Sequence, residues 1–217
     1  MTTTELTLDA DTVVEFLNSL AAKVPAPGGG ATAALHLGQA AALVGMVARY
    51  TTGPRYAAHQ DLVTLVCERA DTLRAQAVRL VDEDMAAFRG VIAAYKLPKS
   101  TGTEAEARTA AIGAAAADAA SVPADVARAA AEVIGLAEQL FPVANPNVIS
   151  DVAAAADAAR AAATTARVNV EINLASITDA ATRESLTTRM SGVDQLAARA
   201  DEITDRVRKT LIRDQNP

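Results

Sequence analysis

Apolar residues recur at helical spacing along most of the chain, and turns rich in proline and glycine separate the segments that carry them. The longest pattern lies between about 57 and 95, where no proline occurs and apolar residues return every three or four positions. Thr12 and Glu15 fit a capping box, which marks the start of a first helix. We find no alternating run of β-branched or aromatic residues bounded by turns, as a strand requires. The pattern predicts an all-α protein.

The turns divide the chain into seven predicted helices. Pro123 separates the fourth helix from the fifth, because proline lacks the N–H that a helix interior needs. No fixed-period repeat or linker is found, so we expect one domain over residues 1–217, with its core between about 10 and 212. The predicted helices cover about residues 12–23, 31–52, 57–95, 103–120, 123–140, 150–174 and 179–212, and residues 141–149 are a predicted loop.

Composition indicates how these helices pack. Hydrophobic residues make up 51% of the 217 residues but aromatic residues only 3%, so most apolar side chains are Ala, Leu and Val. Alanine is the best helix former, and its small side chain lets helices approach closely. Residues 31–48 are uncharged and about as long as a membrane span, but they contain His36 and Gln39 and have no flanking aromatic belt. We therefore predict a bundle of long helices around a central alanine-rich helix.

Charge and cysteine content narrow the classes of partner. The net charge is −6, and no basic stripe is present, so a nucleic-acid partner is not expected. The single Cys67 cannot form an intramolecular disulfide, and the N-terminal residues do not have the pattern of a signal peptide. Two distant histidines and one cysteine give no metal-ligand spacing. We expect a cytoplasmic protein without a metal, a nucleic-acid partner or a membrane partner.

A carboxylate interrupts the apolar stripe of the longest predicted helix. Asp84 lies four residues after Leu80 and four before Phe88, so helical geometry turns it towards the core. Asp82 lies about 200° away around the helix and is expected to face Arg79 or solvent. A buried carboxylate must be paired, hydrogen-bonded or protonated, and burial raises its pKa towards the range useful for acid–base catalysis. Asp84 is therefore either a catalytic group or a structural carboxylate bonded to a neighbouring helix.

Two other features admit a binding role and a structural one. Asn169 and Asn173 share one face of the sixth predicted helix, where their amides either bind a ring with donors and acceptors or bond a neighbouring helix. The glycines 28–30 precede a helix, and their backbone N–H groups either bind an anion or form a tight turn that lets helices pack closely.

Polar residues also stand at two helix ends. Asn147, Ser150 and Asp151 lie at the start of the sixth predicted helix, where Ser150 is a plausible N-cap and Asp151 a favourable first-turn charge. Lys99 follows the longest helix, as cations often do, and is also placed to meet the carboxylates of an acidic ligand.

Seven short segments, taken together and in this order, carry a resemblance to a known family. They are Phe16-Leu17; Pro27-Gly28-Gly29-Gly30 with residues 31–51; residues 80–84 with Phe88; residues 94–99; Val122-Pro123; Asn147 with Ser150-Asp151; and Asn169-Val170 with Ile172-Asn173-Leu174. Over about residues 10–180 the chain resembles the formimidoyltetrahydrofolate cyclodeaminase and methenyltetrahydrofolate cyclohydrolase family.

The resemblance implies an all-helical, homodimeric enzyme that acts on one-carbon units carried by tetrahydrofolate and uses no metal or prosthetic group. Because no formiminotransferase sequence precedes the helical part, we expect a methenyltetrahydrofolate cyclohydrolase, which converts 5,10-methenyltetrahydrofolate and water to 10-formyltetrahydrofolate. The alternative is a formimidoyltetrahydrofolate cyclodeaminase, which closes the ring with release of ammonia. A non-catalytic helical dimer that retains the fold is a third possibility, and it predicts no pocket beside the glycine turn and the two candidate carboxylates far apart or sealed from solvent.

The resemblance and the chemistry of an amidinium carbon together suggest roles for individual residues. Asp84 is expected to be the principal acid–base and Asp151 a second carboxylate. Asn169 and Asn173 are expected to orient the pterin, and Lys99 to contact the substrate. The further expected substrate contacts are Gly28, Gly29, Gly30, Asp82, Asn147 and Ser150.

Overall fold

The computed structural model describes residues 12–215, and all regular structure among them is helical, as predicted. Short 3₁₀ turns occur at Pro54–His59, Phe141–Val143 and Pro146–Val148. The α-helices in chain order are α1 (Val13–Ala21), α2 (Gly29–Tyr50), α3 (Gln60–Tyr95), α4 (Gly102–Leu140), α5 (Ile149–Leu174), α6 (Ala180–Met190) and α7 (Val193–Gln215).

The central helix of the bundle is α2, around which α3, α4 and α5 pack. Its buried residues are Ala, Val, Leu and Gly, and they lie on several sides of the helix. Within residues 12–215, α2 is the one helix long and apolar enough to cross a membrane, with a mean hydropathy of 1.5, and more than half of that apolar segment is buried inside the bundle. The prediction of a bundle around an alanine-rich helix is confirmed.

Local capping fixes where two of the helices begin. At α1 the Thr12 N–H donates to Glu15 Oε2 at 2.7 Å, and the Glu15 N–H donates to Thr12 Oγ1 at 3.2 Å, which is the predicted capping box. A second capping box, which was not predicted, joins Thr101 and Glu104 at the start of α4. It supplies acceptors for the backbone N–H groups of Thr101 and Glu104 at the start of α4.

The predicted helix break at Pro123 is wrong, because α4 is continuous and Pro123 lies buried in its interior. An interior proline costs about 3 kcal/mol or more, since it removes one hydrogen bond and crowds the carbonyl four residues earlier. Packing offsets this cost here, because α4 contacts α2, α3 and α5. The buried residues nearest the proline are Ala116, Ala119, Ala120, Ala124, Val126 and Ala127.

Two other predicted helices differ from the observed ones. The predicted last helix is two helices, α6 and α7, which separate at Ser191 and Gly192 because glycine is a poor helix former. This break lets α6 pack on α4 while α7 packs on α5, and it buries both Met190 and Val193. The first residues of the predicted third helix form the 3₁₀ turn at Pro54–His59.

Candidate functional site

Asp84 projects from α3 towards the first turn of α2, where the helical spacing places it. Its carboxylate accepts a hydrogen bond from the Ala31 N–H, one of the amides that a helix start leaves without an intrahelical partner. Burial raises the pKa of Asp84 to about 6, and the Ala31 bond opposes this rise by favouring the charged form. A carboxyl group in this state holds and releases a proton close to neutral pH.

Glycine at position 30 is what allows the Asp84 carboxylate to reach α2. A Cβ at this position would lie 2.5 Å from Asp84 Cγ and 2.7 Å from Oδ2, and closer still to Oδ1. At Gly29 a Cβ would lie 3.1 Å from the Asn169 amide nitrogen. At Gly28 no atom of the described residues lies within 4 Å of the corresponding position. Two of the three glycines therefore make room for side chains of the site, and Gly28 borders open space.

Two asparagine amides from α5 face the same region. Asn169 Nδ2 donates to the Thr165 carbonyl oxygen at 2.9 Å, and Asn173 Nδ2 donates to the Asn169 carbonyl oxygen at 2.8 Å. Each amide has two N–H groups and one oxygen, so each keeps its Oδ1 and one N–H available after bonding its own helix. These bonds fix the side chains without using the acceptor atoms.

A pocket of about 260 Å³ brings these groups together at one end of the bundle. Phe88 and Ile172 form apolar walls at its mouth and are 43% and 75% exposed. Among the described residues that line it, none is Lys, Arg or His, so its polar groups are one carboxyl group, two amides and backbone. The lining residues are Pro25, Ala26, Gly28, Gly29, Gly30, Asp84, Phe88, Ala119, Asn169, Ile172 and Asn173.

A second cavity, of about 280 Å³, lies where α4, α6 and α7 meet. Three arginines line it: Arg189 and Arg128 share Asp125, at 2.7 and 3.6 Å, and Arg199 contacts Glu138 at 2.7 Å. Each arginine is paired with a carboxylate, and none of the described residues that line this cavity is Asp, Glu or His. The pocket beside the glycine turn is therefore the candidate site.

Three predicted site residues lie at the opposite end of α5. Asp151 precedes Asn169 by 18 residues, which corresponds to about 27 Å along a helix. Asn147 is exposed in a 3₁₀ turn tied to the C-terminal end of α2, because the neighbouring Asn145 donates to the Tyr50 carbonyl oxygen. Ser150 is not the N-cap that the sequence suggested, since α5 begins at Ile149 after Val148. Within one chain these residues do not meet Asp84.

Asp82 and Lys99 also lie outside the pocket lining. Asp82 is partly buried on α3, and Lys99 is exposed in the turn between α3 and α4. Phe88, which the sequence assigned to the core, lies at the pocket mouth instead. Ala119 of α4 also lines the pocket, and nothing distinguishes it among the many alanines of the sequence. A pocket beside the glycines agrees with the enzyme hypothesis, although the separation of Asp84 from Asp151 in one chain is what the scaffold hypothesis predicts.

The fold is an all-helical domain, and its pocket at the start of the central helix is lined by one carboxyl group, Asp84, and by two asparagine amides. The sequence model of the formiminotransferase-cyclodeaminase family matches residues 12–192. The chain belongs to this family, which confirms the resemblance.

Relatives of the chain divide between two activities. It is 36% identical over 202 residues to a methenyltetrahydrofolate cyclohydrolase from Methylorubrum extorquens, covering 93% of this chain and 96% of that protein. It is 33% identical over 183 residues to a formimidoyltransferase-cyclodeaminase from Rattus norvegicus, covering 84% of this chain but 34% of that protein, so it spans about a third of the rat protein. The structure of a formiminotetrahydrofolate cyclodeaminase from Thermotoga maritima matches with a TM-score of 0.78 at 31% identity, covering 93% of this chain and 96% of that one.

Proposed function

We propose that the chain is a folate one-carbon enzyme that hydrates 5,10-methenyltetrahydrofolate to 10-formyltetrahydrofolate. The observation that carries this proposal is the pocket at Asp84, whose pKa of about 6 suits proton transfer near neutral pH. The similarity to a cyclohydrolase over nearly the whole length of both chains favours this reaction over the alternatives.

One carboxyl group suffices for the proton transfers of this hydration. Ionised Asp84 removes a proton from water as the oxygen attacks the amidinium carbon between N5 and N10. The protonated Asp84 then donates that proton to N5 as the bond between this carbon and N5 breaks, leaving the formyl group on N10. The second water proton leaves to solvent when the hydroxyl becomes the formyl carbonyl, so the cationic substrate gives a neutral formyl group and one H⁺.

The same group serves the alternative cyclodeaminase reaction, which the similarity to the Thermotoga maritima cyclodeaminase supports. N10 attacks the carbon of the formimidoyl group, whose terminal nitrogen is protonated. Asp84 then carries the N10 proton to that nitrogen, which leaves as ammonia. No net proton is gained or lost by the protein. Both reactions therefore need one proton carrier beside the bridging carbon, and the site favours neither by its acid–base chemistry.

The remaining pocket groups are proposed to hold the substrate. Asn169 and Asn173 orient the pterin ring through their free Oδ1 and N–H groups, and Phe88 and Ile172 shield the reacting carbon from solvent. Gly28 borders open space and lets a ligand approach the backbone closely. The substrate is the tetrahydrofolate derivative itself, and the proposal includes no metal or prosthetic group.

A homodimer in the cytoplasm is the proposed working form, as the resemblance implies. Since about 27 Å along α5 separates Asp151 from Asn169, an Asp151 that acts in this pocket belongs to a second subunit. The same holds for Asn147 and Ser150. Asp82 and Lys99 stay proposed contacts to parts of the folate that extend beyond the pocket.

The test follows the absorbance of 5,10-methenyltetrahydrofolate with the purified protein, and then ammonia release from the formimidoyl substrate. Wild-type protein is expected to accelerate the first reaction, and Asp84→Asn to lose about 100-fold or more of that rate. Glu83→Gln is the matched control, because Glu83 is the exposed neighbouring acid on α3 and is expected to leave the rate unchanged. A folded Asp84→Asn protein with the wild-type rate would refute the role of Asp84, and turnover of neither substrate would support the non-catalytic dimer.

A further inference from the structure

α4 carries a proline close to where it borders the pocket. In a helix, the N–H of residue 123 donates to the carbonyl of residue 119. Pro123 has no N–H, so the Ala119 carbonyl lacks the donor that the helix would otherwise supply. Ala119 is also the α4 residue that lines the pocket, while Pro123 itself is buried.

The proline also affects the surroundings of this carbonyl. In a helix, a proline ring crowds the carbonyl four residues earlier, which here is that of Ala119. Ala119 is 8% exposed, so bulk water reaches it poorly. A buried carbonyl without a donor is costly, and such groups normally find a partner. The pocket is the open space beside Ala119 in which a ligand can supply one.

The pocket is otherwise rich in acceptors. Asp84 contributes a carboxylate, and Asn169 and Asn173 each contribute an Oδ1 that is not used in the bond each amide makes to its own helix. A ligand with several N–H donors can satisfy these acceptors, and the free N–H of each amide can bind an acceptor of the same ligand. A reduced pterin ring has such donors, with an exocyclic amino group and ring N–H groups along its edges.

We propose that the Ala119 carbonyl accepts a hydrogen bond from an N–H of the bound pterin, and that Pro123 is the positioning residue that keeps this carbonyl available. The inference rests on the proposed folate function and adds a backbone contact to it. It also gives the interior proline of α4 a role in binding, at the expense of helix stability.

The test is Pro123→Ala, which returns an N–H to position 123 and lets it bond the Ala119 carbonyl. The variant is expected to have an equal or higher thermal midpoint, since alanine favours the helix interior. Its Kd for tetrahydrofolate, measured by ligand fluorescence or calorimetry, is expected to rise about tenfold, the effect of losing one hydrogen bond. A merely structural proline predicts higher stability with an unchanged Kd, and that result would overturn the proposal.

Two further variants separate hydrogen bonding from packing. Pro123→Val supplies the same N–H while keeping a bulk close to that of proline, so it is expected to weaken binding as much as Pro123→Ala. If Pro123→Val binds normally, the effect of alanine comes from lost volume and the proposal fails. Pro142→Ala is the matched control, because Pro142 is exposed in a 3₁₀ turn outside the pocket lining, and it is expected to leave the Kd unchanged.

The binding measurement also keeps this inference distinct from the proposed function. If wild-type protein binds tetrahydrofolate but turns over neither folate substrate, the proposed activity fails while the Kd comparison still tests Ala119. If wild-type protein turns over the substrate and Pro123→Ala has the same Kd, the activity stands and the inference fails. If wild-type protein binds no folate, both are overturned.

Discussion

Replacing Gly30 with alanine places a methyl group inside the space that the Asp84 carboxylate occupies. The new Cβ would lie 2.5 Å from Asp84 Cγ, although carbon atoms in contact normally stay about 3.5–4.0 Å apart. The carboxylate must therefore move by about 1 Å and lose its bond from the Ala31 N–H. Overpacking of this kind costs about 2 kcal/mol, which lowers the thermal midpoint by roughly 4–8 °C in a chain of this size. A displacement of about 1 Å at a catalytic group costs roughly 100-fold in rate.

The assay combines thermal unfolding with the rate of methenyltetrahydrofolate hydrolysis. Gly38→Ala is the matched control on the same helix, because its Cβ would meet only Ala77 Cβ at 3.4 Å, and we expect no loss of stability or rate. Gly30→Ala is then repeated in an Asp84→Ala background, where the methyl group has no carboxylate to displace and its stability cost should disappear. An equal loss of stability in both backgrounds, or an unchanged rate in Gly30→Ala alone, would refute the reasoning.

Two other predictions concern the same pocket. The pKa of Asp84 is about 6 in the folded protein against an ordinary value of 3.8, so its contribution to stability is fully present below about pH 4 and is lost as the pH rises through 6. The free energy of unfolding of Asp84→Asn is therefore expected to exceed that of wild type by up to about 3 kcal/mol at pH 8, and not at pH 4. Denaturant titrations at both pH values measure this difference. An equal difference at both pH values would contradict the prediction. Gly28→Ala adds a methyl group to open space. We therefore expect an unchanged thermal midpoint and a KM for the folate that is raised about tenfold. A change in the thermal midpoint with an unchanged KM would show that Gly28 serves packing instead.

Local patterns in the sequence predicted the helices and the groups at the pocket. Asp84 stands out because it replaces an apolar residue in a stripe, and the paired spacing of Asn169 and Asn173 puts both amides on one face. The glycine turn was predicted to lie beside the site or to pack helices, and the structure shows that Gly30 makes close packing possible. These features were predictable because each depends on positions within one or two helical turns.

Features that depend on contacts between distant segments were not predictable in this way. α4 continues through Pro123 because it is buried against other helices, and the proline alone does not indicate that burial. The break at Gly192 depends on how α6 and α7 pack against α4 and α5, which both helices contact. By contrast, Asp151 and Asn169 both lie in the predicted helix over 150–174, so their separation of about 27 Å could be read from the sequence. Collinear motifs thus identified the family without indicating which of their residues share a pocket.

The opposing effects of burial and of the Ala31 hydrogen bond on the pKa of Asp84 have a consequence for the direction of the proposed reaction. With a pKa of about 6, roughly one molecule in ten carries the proton on this group at pH 7 and the rest do not. Both forms are thus present in the resting protein, one ready to accept a proton from water and the other ready to protonate a ring nitrogen. Reaching the protonated form at pH 7 costs only about 1.4 kcal/mol, so neither direction of the proposed interconversion requires a costly ionisation, and the relative concentrations of the two folates determine the net direction.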